Sequence, residues 1–154
     1  MILPRSRYET TELVFAILSV AGATAACATH GDVPTVDMLA RYYSLVGDAI
    51  RHSEGRVIKV IGDGIVITFP VSHAADAIVD LRSAQGRATN LWQSFDQRCR
   101  VQVKVGIGPL ISGLFGPPGQ ERHDAYGDAL NQLFKLPAGD FVVSSALARV
   151  VGGD

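Results

Sequence analysis

Asp63 stands between Gly62 and Gly64, so its carboxylate is carried on nearly bare backbone. Such a group can meet a Mg²⁺–phosphate pair, because magnesium takes one or two carboxylates together with substrate phosphate oxygens. Asp-Gly is equally what a tight turn favours, and these three residues alone leave both readings open. Lys59 is one of three lysines against eleven arginines, and it lies inside the apolar run 56–61. A period of two points it the same way as Val57 and Ile61, which predicts a partly buried ammonium with a polar partner. A lysine on the solvent face is the plainer alternative. Asp124 and Asn131 flank Gly127-Asp128 and form a second polar cluster, which would also serve as a solvated loop and helix cap. His30, His52, His73 and His123 are scattered without metal-ligand spacing and read as surface residues.

The elements around these residues follow from periodicity. Leu13–Leu18 is a continuous apolar run of strand length, as in a central strand covered on both faces. Gly22–Gly31 reads as a loop or a poor helix. Asp32 can cap the next helix and Pro34 suits its first turn. Val36, Leu39, Tyr43, Val46 and Ile50 then recur at steps of three and four, and Gly55 closes the segment. The β-branched runs 56–61 and 65–69 flank Gly62-Asp63-Gly64 and predict a β-hairpin. Ser72 can cap a second long helix, with Ala74, Ile78, Leu81, Ala88, Leu91 or Trp92, and Phe95 facing inward. Gly86 weakens its middle. Val101–Val105 alternates as a half-buried strand, and Gly108-Pro109 is expected to turn into the run 110–115. After the polar loop 117–122 come a short helix over 129–136, a strand at Phe141–Val143, and a terminal helix capped by Ser144 or Ser145. Strand, helix, strand, strand, helix, strand is the split βαβ, ferredoxin-like order, here with an added hairpin arm and helix.

Composition bounds the function classes. The chain has 154 residues, 47% of them apolar and 19% charged, with a formal charge of −1. One domain over 11–154 is expected, preceded by an N-terminal tail over 1–10. A chain of this size buries about two thirds of its unfolded surface without disulfides or a metal clip. Near-neutral charge disfavours nucleic-acid binding. Two cysteines without paired spacing, Cys27 and Cys99, fit reduced thiols in a cytoplasmic protein. The uncharged run Leu13–Thr29 has 17 residues and fades into Ala, Gly and Thr. It is too short and too weakly apolar for a membrane span of about 20 residues, so no membrane association by itself is expected.

The block Gly55–Phe69 resembles the central hairpin of class III nucleotidyl cyclases, the adenylate/guanylate cyclase catalytic domain. Gly113-Leu114-Phe115-Gly116-Pro117-Pro118-Gly119, followed by Asp124-Ala125-Tyr126-Gly127-Asp128-Ala129-Leu130-Asn131, resembles that family's second block in order and spacing. Gly139–Ser144 is similar to the strand that follows. The resemblance runs from about Leu13 to Val150, and the two blocks together are specific where either alone is weak.

The resemblance implies an α+β fold with the ferredoxin-like βαββαβ core. It implies a head-to-tail homodimer, or a heterodimer with an intact cyclase, with sites at the interface. Lys59 and Asp124 match the pair that reads the purine edge, which implies ATP or another purine nucleotide as ligand. Asp63 matches the second metal aspartate, and Asn131 the catalytic asparagine. In the family two cations, Mg²⁺ or Mn²⁺, neutralise developing charge while an arginine caps a phosphoryl oxygen. This chain departs from that pattern in three places. Ser19, or Ile17 in a slipped register, stands where the first metal aspartate is expected, Lys135 stands for the catalytic arginine, and the chain ends at Asp154, before the family's last hairpin with its phosphate-binding lysine. A lysine keeps the charge but loses the planar fork. The expectation is a degenerate cyclase-homology domain of cyclic-nucleotide signalling, with a nucleotide-binding or regulatory dimerisation role. The alternative is a functional adenylate cyclase converting ATP to cAMP and pyrophosphate. A third reading is a ferredoxin-like binding domain without nucleotide chemistry.

Overall fold

A computed structural model describes residues 8–152. The sheet is built on β1 (Glu9–Ala21), which antiparallel partners flank on both edges. Helices α1 (Ala23–His30) and α2 (Asp32–Ala49) follow, then the hairpin of β2 (Arg56–Ile61) and β3 (Gly64–Pro70). A single 3₁₀ turn at Val71–His73 leads into α3 (Ala74–Phe95). The remaining elements are β4 (Arg100–Phe115), β5 (Arg122–Tyr126), α4 (Asp128–Lys135), β6 (Phe141–Val143) and α5 (Ser145–Val151). The sheet order is β2-β3-β1-β4-β5, with β6 parallel to the first half of β4. The four strands β2-β3-β1-β4 with α2 and α3 form the expected ferredoxin-like core, and the far half of β4 with β5 forms the added arm.

Period-two alternation in β1 splits the interior in two. Val14, Ala16, Leu18 and Val20 face α2 and α3, where Tyr42, Leu81 and Trp92 are fully buried. Phe15 and Ile17 face the other way, onto a smaller cluster with Val66, Leu110, Leu130 and Leu133 beneath α4. Among the described residues that second face is covered mainly by α4, with the start of α5 beside Phe15.

Several local expectations need correction. β1 starts at Glu9, which pairs with Ser112, so Glu9 and Thr10 belong to the sheet and not to a tail. The other residues expected in the tail, 1–7, lie outside the described residues. Of the two readings of Gly22–Gly31, loop or poor helix, the helix is the one found, as α1, entered through Gly22 at φ 88°. In α2 Val46 and the following Ile50 are buried as expected and Leu39 and Tyr43 are partly so, but Thr35, Met38 and Tyr42 are the buried residues of its first half and Val36 is exposed. Asp32 is the first residue of α2, behind Gly31 as N-cap. Ser72 lies within the 3₁₀ turn, and α3 starts behind His73 without a side-chain cap. Ser144, as expected, caps α5 by accepting from the Leu147 N–H at 3.2 Å.

Gly108-Pro109 does not turn. β4 runs straight through it, with Pro109 opposite Glu12 on β1. On its other edge β4 pairs with β6 as far as Val105 and with β5 only from Ile111. Pro109 sits in the gap between them, where no ladder needs its missing N–H. Gly108 has a steric reason to be glycine, since a Cβ there would lie 2.6 Å from the Ala129 Cβ of α4. Among the described residues no helix is long and apolar enough to cross a membrane.

Two glycines should therefore respond oppositely in urea unfolding. Gly108→Val pushes α4 off the sheet and should cost about 1–3 kcal/mol. Gly86→Ala, in mid-helix with nothing within 4 Å of the added methyl, should gain about 0.5–1 kcal/mol.

Candidate functional site

The hairpin tip is held from three sides. Ile61 pairs with Gly64, which leaves Gly62 and Asp63 as the turn, and Gly62 takes φ 57°. The Tyr42 hydroxyl donates to the Asp63 carbonyl at 3.3 Å, and the Tyr43 hydroxyl donates to the Gly62 carbonyl. The Asp63 carboxylate accepts the Val20 backbone N–H at 2.8 Å. The tip is thus tied both to α2 and to the end of β1. Burial, then the charge of Asp63, then Tyr43 push the Tyr42 phenol far above its ordinary range.

Ser19 is half-buried and lies next to Val20, so Asp63 and Ser19 are brought together at the end of β1. They do not share a cavity. Asp63 lines a groove of about 420 Å³ with Gly62, Thr24 and Cys27. Ser19 lines a separate cavity of about 200 Å³ on the open face, with Gly64, Gln102 and Lys104. A divalent ion needs converging oxygen donors, and tight sites supply several carboxylates. Here the alcohol of Ser19 brings no charge, and one Asp63 oxygen is occupied by a backbone N–H. No cluster of three His, Cys, Asp or Glu side chains occurs among the described residues. The residues present do not fit a two-ion centre.

Lys59 meets Asp124, with its ammonium 3.0 Å from one carboxylate oxygen and 3.2 Å from the other. The expected polar partner is present, but the geometry behind it differs from simple alternation. Val57 pairs with Ile67 and Lys59 with Val66, so a bulge at Ile58 reverses the facing of β2. Lys59 consequently lies on the open face with Val66 and Ile17, opposite in sense to Val57. Both side chains remain about one-third exposed, so the pair is worth less than about 1 kcal/mol and is cheap to open. Asp124 also accepts its neighbour Ala125's N–H, which fixes the carboxylate.

Asn131 and Lys135 lie one turn apart on α4, Asn131 half-buried and Lys135 exposed. Sequence reasoning missed Lys104. Its ammonium donates to the Phe134 and Leu136 carbonyls at 3.0 and 2.6 Å, holding the C-terminal end of α4 against β4. A cation there also suits the negative end of the helix dipole. The alternation of β4 already put Lys104 opposite in facing to Val103 and Val105, and only the placement of α4 was lacking. Tyr42 and Tyr43 were missed as well. An adjacent tyrosine pair reads as core until the hairpin tip is seen above it.

The fold corresponds to a known family. Residues 3–136 match the family model of the adenylate and guanylate cyclase catalytic domain. The chain belongs to that family. Adenylate cyclase 2 of Rhizobium meliloti (strain 1021) is 24% identical over 132 residues, 81% of this chain and 36% of that protein. The chain spans between 24% and 36% of the length of the curated relatives it matches. Among solved structures, the adenylyl cyclase CyaB from P. aeruginosa superposes with a TM-score of 0.85 at 15% identity, over 95% of this chain and 83% of that one. A class III adenylyl cyclase-like ATP-binding protein from Pseudomonas aeruginosa superposes at 0.70 with 18% identity, over 93% of this chain and 35% of that one.

Two measurements check the tip. Asp63→Asn keeps an acceptor for the Val20 N–H and should change stability by under about 1 kcal/mol, whereas Asp63→Ala strands that N–H and should cost about 1–3 kcal/mol. The raised Tyr42 pKa means its contribution is complete below the unfolded phenol value of about 10 and is lost as pH rises above it. Unfolding free energy should fall between about pH 9 and 12, and Tyr42→Phe should flatten that fall. An unchanged slope in the variant would assign the alkaline loss to other groups.

Proposed function

We propose that this domain binds a purine nucleotide, with ATP preferred, and acts as a regulatory dimerisation module without cyclase turnover of its own. The Lys59–Asp124 pair on the open face carries the first half of the reading. Lys59 can donate to a purine ring nitrogen while Asp124 accepts from a 6-amino group. In the free protein the two groups satisfy each other, so base binding exchanges one set of hydrogen bonds for another at small cost. The P. aeruginosa relative described as ATP-binding supports the idea that such a fold can hold ATP. Ser19 carries the second half, since one carboxylate is missing where two cations would have to sit. Lys135 offers charge to a phosphoryl oxygen without bidentate geometry.

A second copy is the partner this reading favours. Ile61 beside the hairpin tip, Tyr126 at the end of β5 and Phe134 beside Lys135 are at least half exposed, at 77%, 63% and 50%. Burying them between twofold-related copies would make two equivalent sites, each drawing on both chains. The retained Lys59, Asp124 and Asn131 also suit a working adenylate cyclase, and the same experiment separates the two readings. Purified protein incubated with ATP and Mn²⁺ should yield no cAMP by chromatography, while Ser19→Asp with Lys135→Arg should gain turnover. Cyclic AMP made by the unaltered protein and abolished by Asp63→Ala would establish the enzyme instead.

A further inference from the structure

The open-face cavity beside Ser19 has Ser19, Gly64, Gln102 and Lys104 on its wall, with Phe134 and Ala138 from the α4–β6 side. Lys104 is the one charged side chain lining it. It is opposite Ile17 in the ladder, and Ser19 is opposite Gln102. Lys104 and Ser19 are therefore diagonal neighbours on one face, within reach of a long side chain. The ammonium is not free to swing away, because two of its protons are committed to the Phe134 and Leu136 carbonyls. One donor position remains. A fixed positive charge thus borders the place where the family pattern implies a carboxylate and its cations. Asp63, the remaining acid, lines the other cavity and spends an oxygen on Val20.

A serine, a lysine and one acid give a site with no net negative charge to attract a divalent cation. A polyphosphate carries the opposite charge from a metal ion, and the remaining donor of the Lys104 ammonium can serve it directly. We propose that the nucleotide site of this protein takes a metal-free nucleoside polyphosphate, with the Lys104 ammonium standing in for the divalent cation. The proposal rests on the nucleotide-binding reading and adds to it the ionic form of the ligand. It also gives Lys104 two tasks at once, holding the end of α4 and facing the phosphates, so nucleotide binding and the placement of Asn131 and Lys135 are coupled through one side chain.

The test uses a fluorescent ATP analogue followed by anisotropy, in excess EDTA and in excess Mg²⁺, together with Mn²⁺ binding followed by electron paramagnetic resonance. The unaltered protein should bind the analogue more tightly in EDTA than in excess Mg²⁺, where nearly all the ligand is the metal complex, and should leave the free Mn²⁺ signal unchanged in the absence of nucleotide. Lys104→Met should weaken binding in EDTA about tenfold, and Lys104→Arg should restore most of it. Ser19→Asp combined with Lys104→Met should create Mn²⁺ binding. Nucleotide binding that is as tight in excess Mg²⁺ as in EDTA, or tighter, overturns the proposal and leaves the nucleotide reading standing. Binding in neither medium overturns both. Mn²⁺ uptake by the unaltered protein that disappears in Asp63→Asn overturns the proposal whatever Lys104→Met does, so a misfolded lysine variant cannot shelter it.

Discussion

A carboxylate at a hairpin tip can grip a cation or grip the backbone, and Asp63 grips the backbone. Its bond to the Val20 N–H at 2.8 Å joins the β2–β3 turn to the end of the central strand. The rest of the site is arranged around that joint. Tyr42 and Tyr43 clamp the two carbonyls of the same turn, so the position of α2 is transmitted to Asp63 through two hydroxyl groups. The acid also feeds back on the clamp, since its charge helps keep the Tyr42 phenol protonated. Retention of Asp63 beside a serine is then intelligible without a metal, because the backbone N–H needs an acceptor whatever happens at position 19.

The same joint separates two faces with different duties. On one, α2 and α3, with Trp92 of α3, cover Leu18 and Ile65, and these side chains are closed to water. On the other, Leu130 and Leu133 of α4 cover Phe15 but leave Lys59, Asp124 and Ser19 accessible in part. Close approach of α4 requires Gly108 against Ala129, and its far end requires the Lys104 bonds. A helix pinned at both ends can present Asn131 and Lys135 in a fixed relation to the sheet.

Much of this could be read from residues alone. The apolar run at Leu13–Leu18, the Gly62-Asp63 turn and the 3.6-residue periodicity of the two long helices are local signals, and they gave the ferredoxin-like order. Positions that depend on a neighbour were less readable. Gly108-Pro109 carries the dipeptide chemistry of a turn, yet it lies in a straight strand because β5 and β6 leave a gap there. The facing of Lys59 depends on a bulge at Ile58 that no alternation pattern contains. Its partner Asp124 was singled out by spacing and resemblance, but the 3.0 Å contact is a property of β2 and β5 meeting across the open face. Lys104 looked like an ordinary polar position in an amphipathic strand, since its role is set by where α4 ends.

The central claim concerns charge at the end of β1. Diffraction from crystals grown with ATP and Mn²⁺, recorded at the manganese absorption edge, reads it most directly. The account predicts nucleotide density on the open face and no anomalous peak within coordinating distance of Ser19 or Asp63. One or two manganese peaks bound there in the unaltered protein would contradict it.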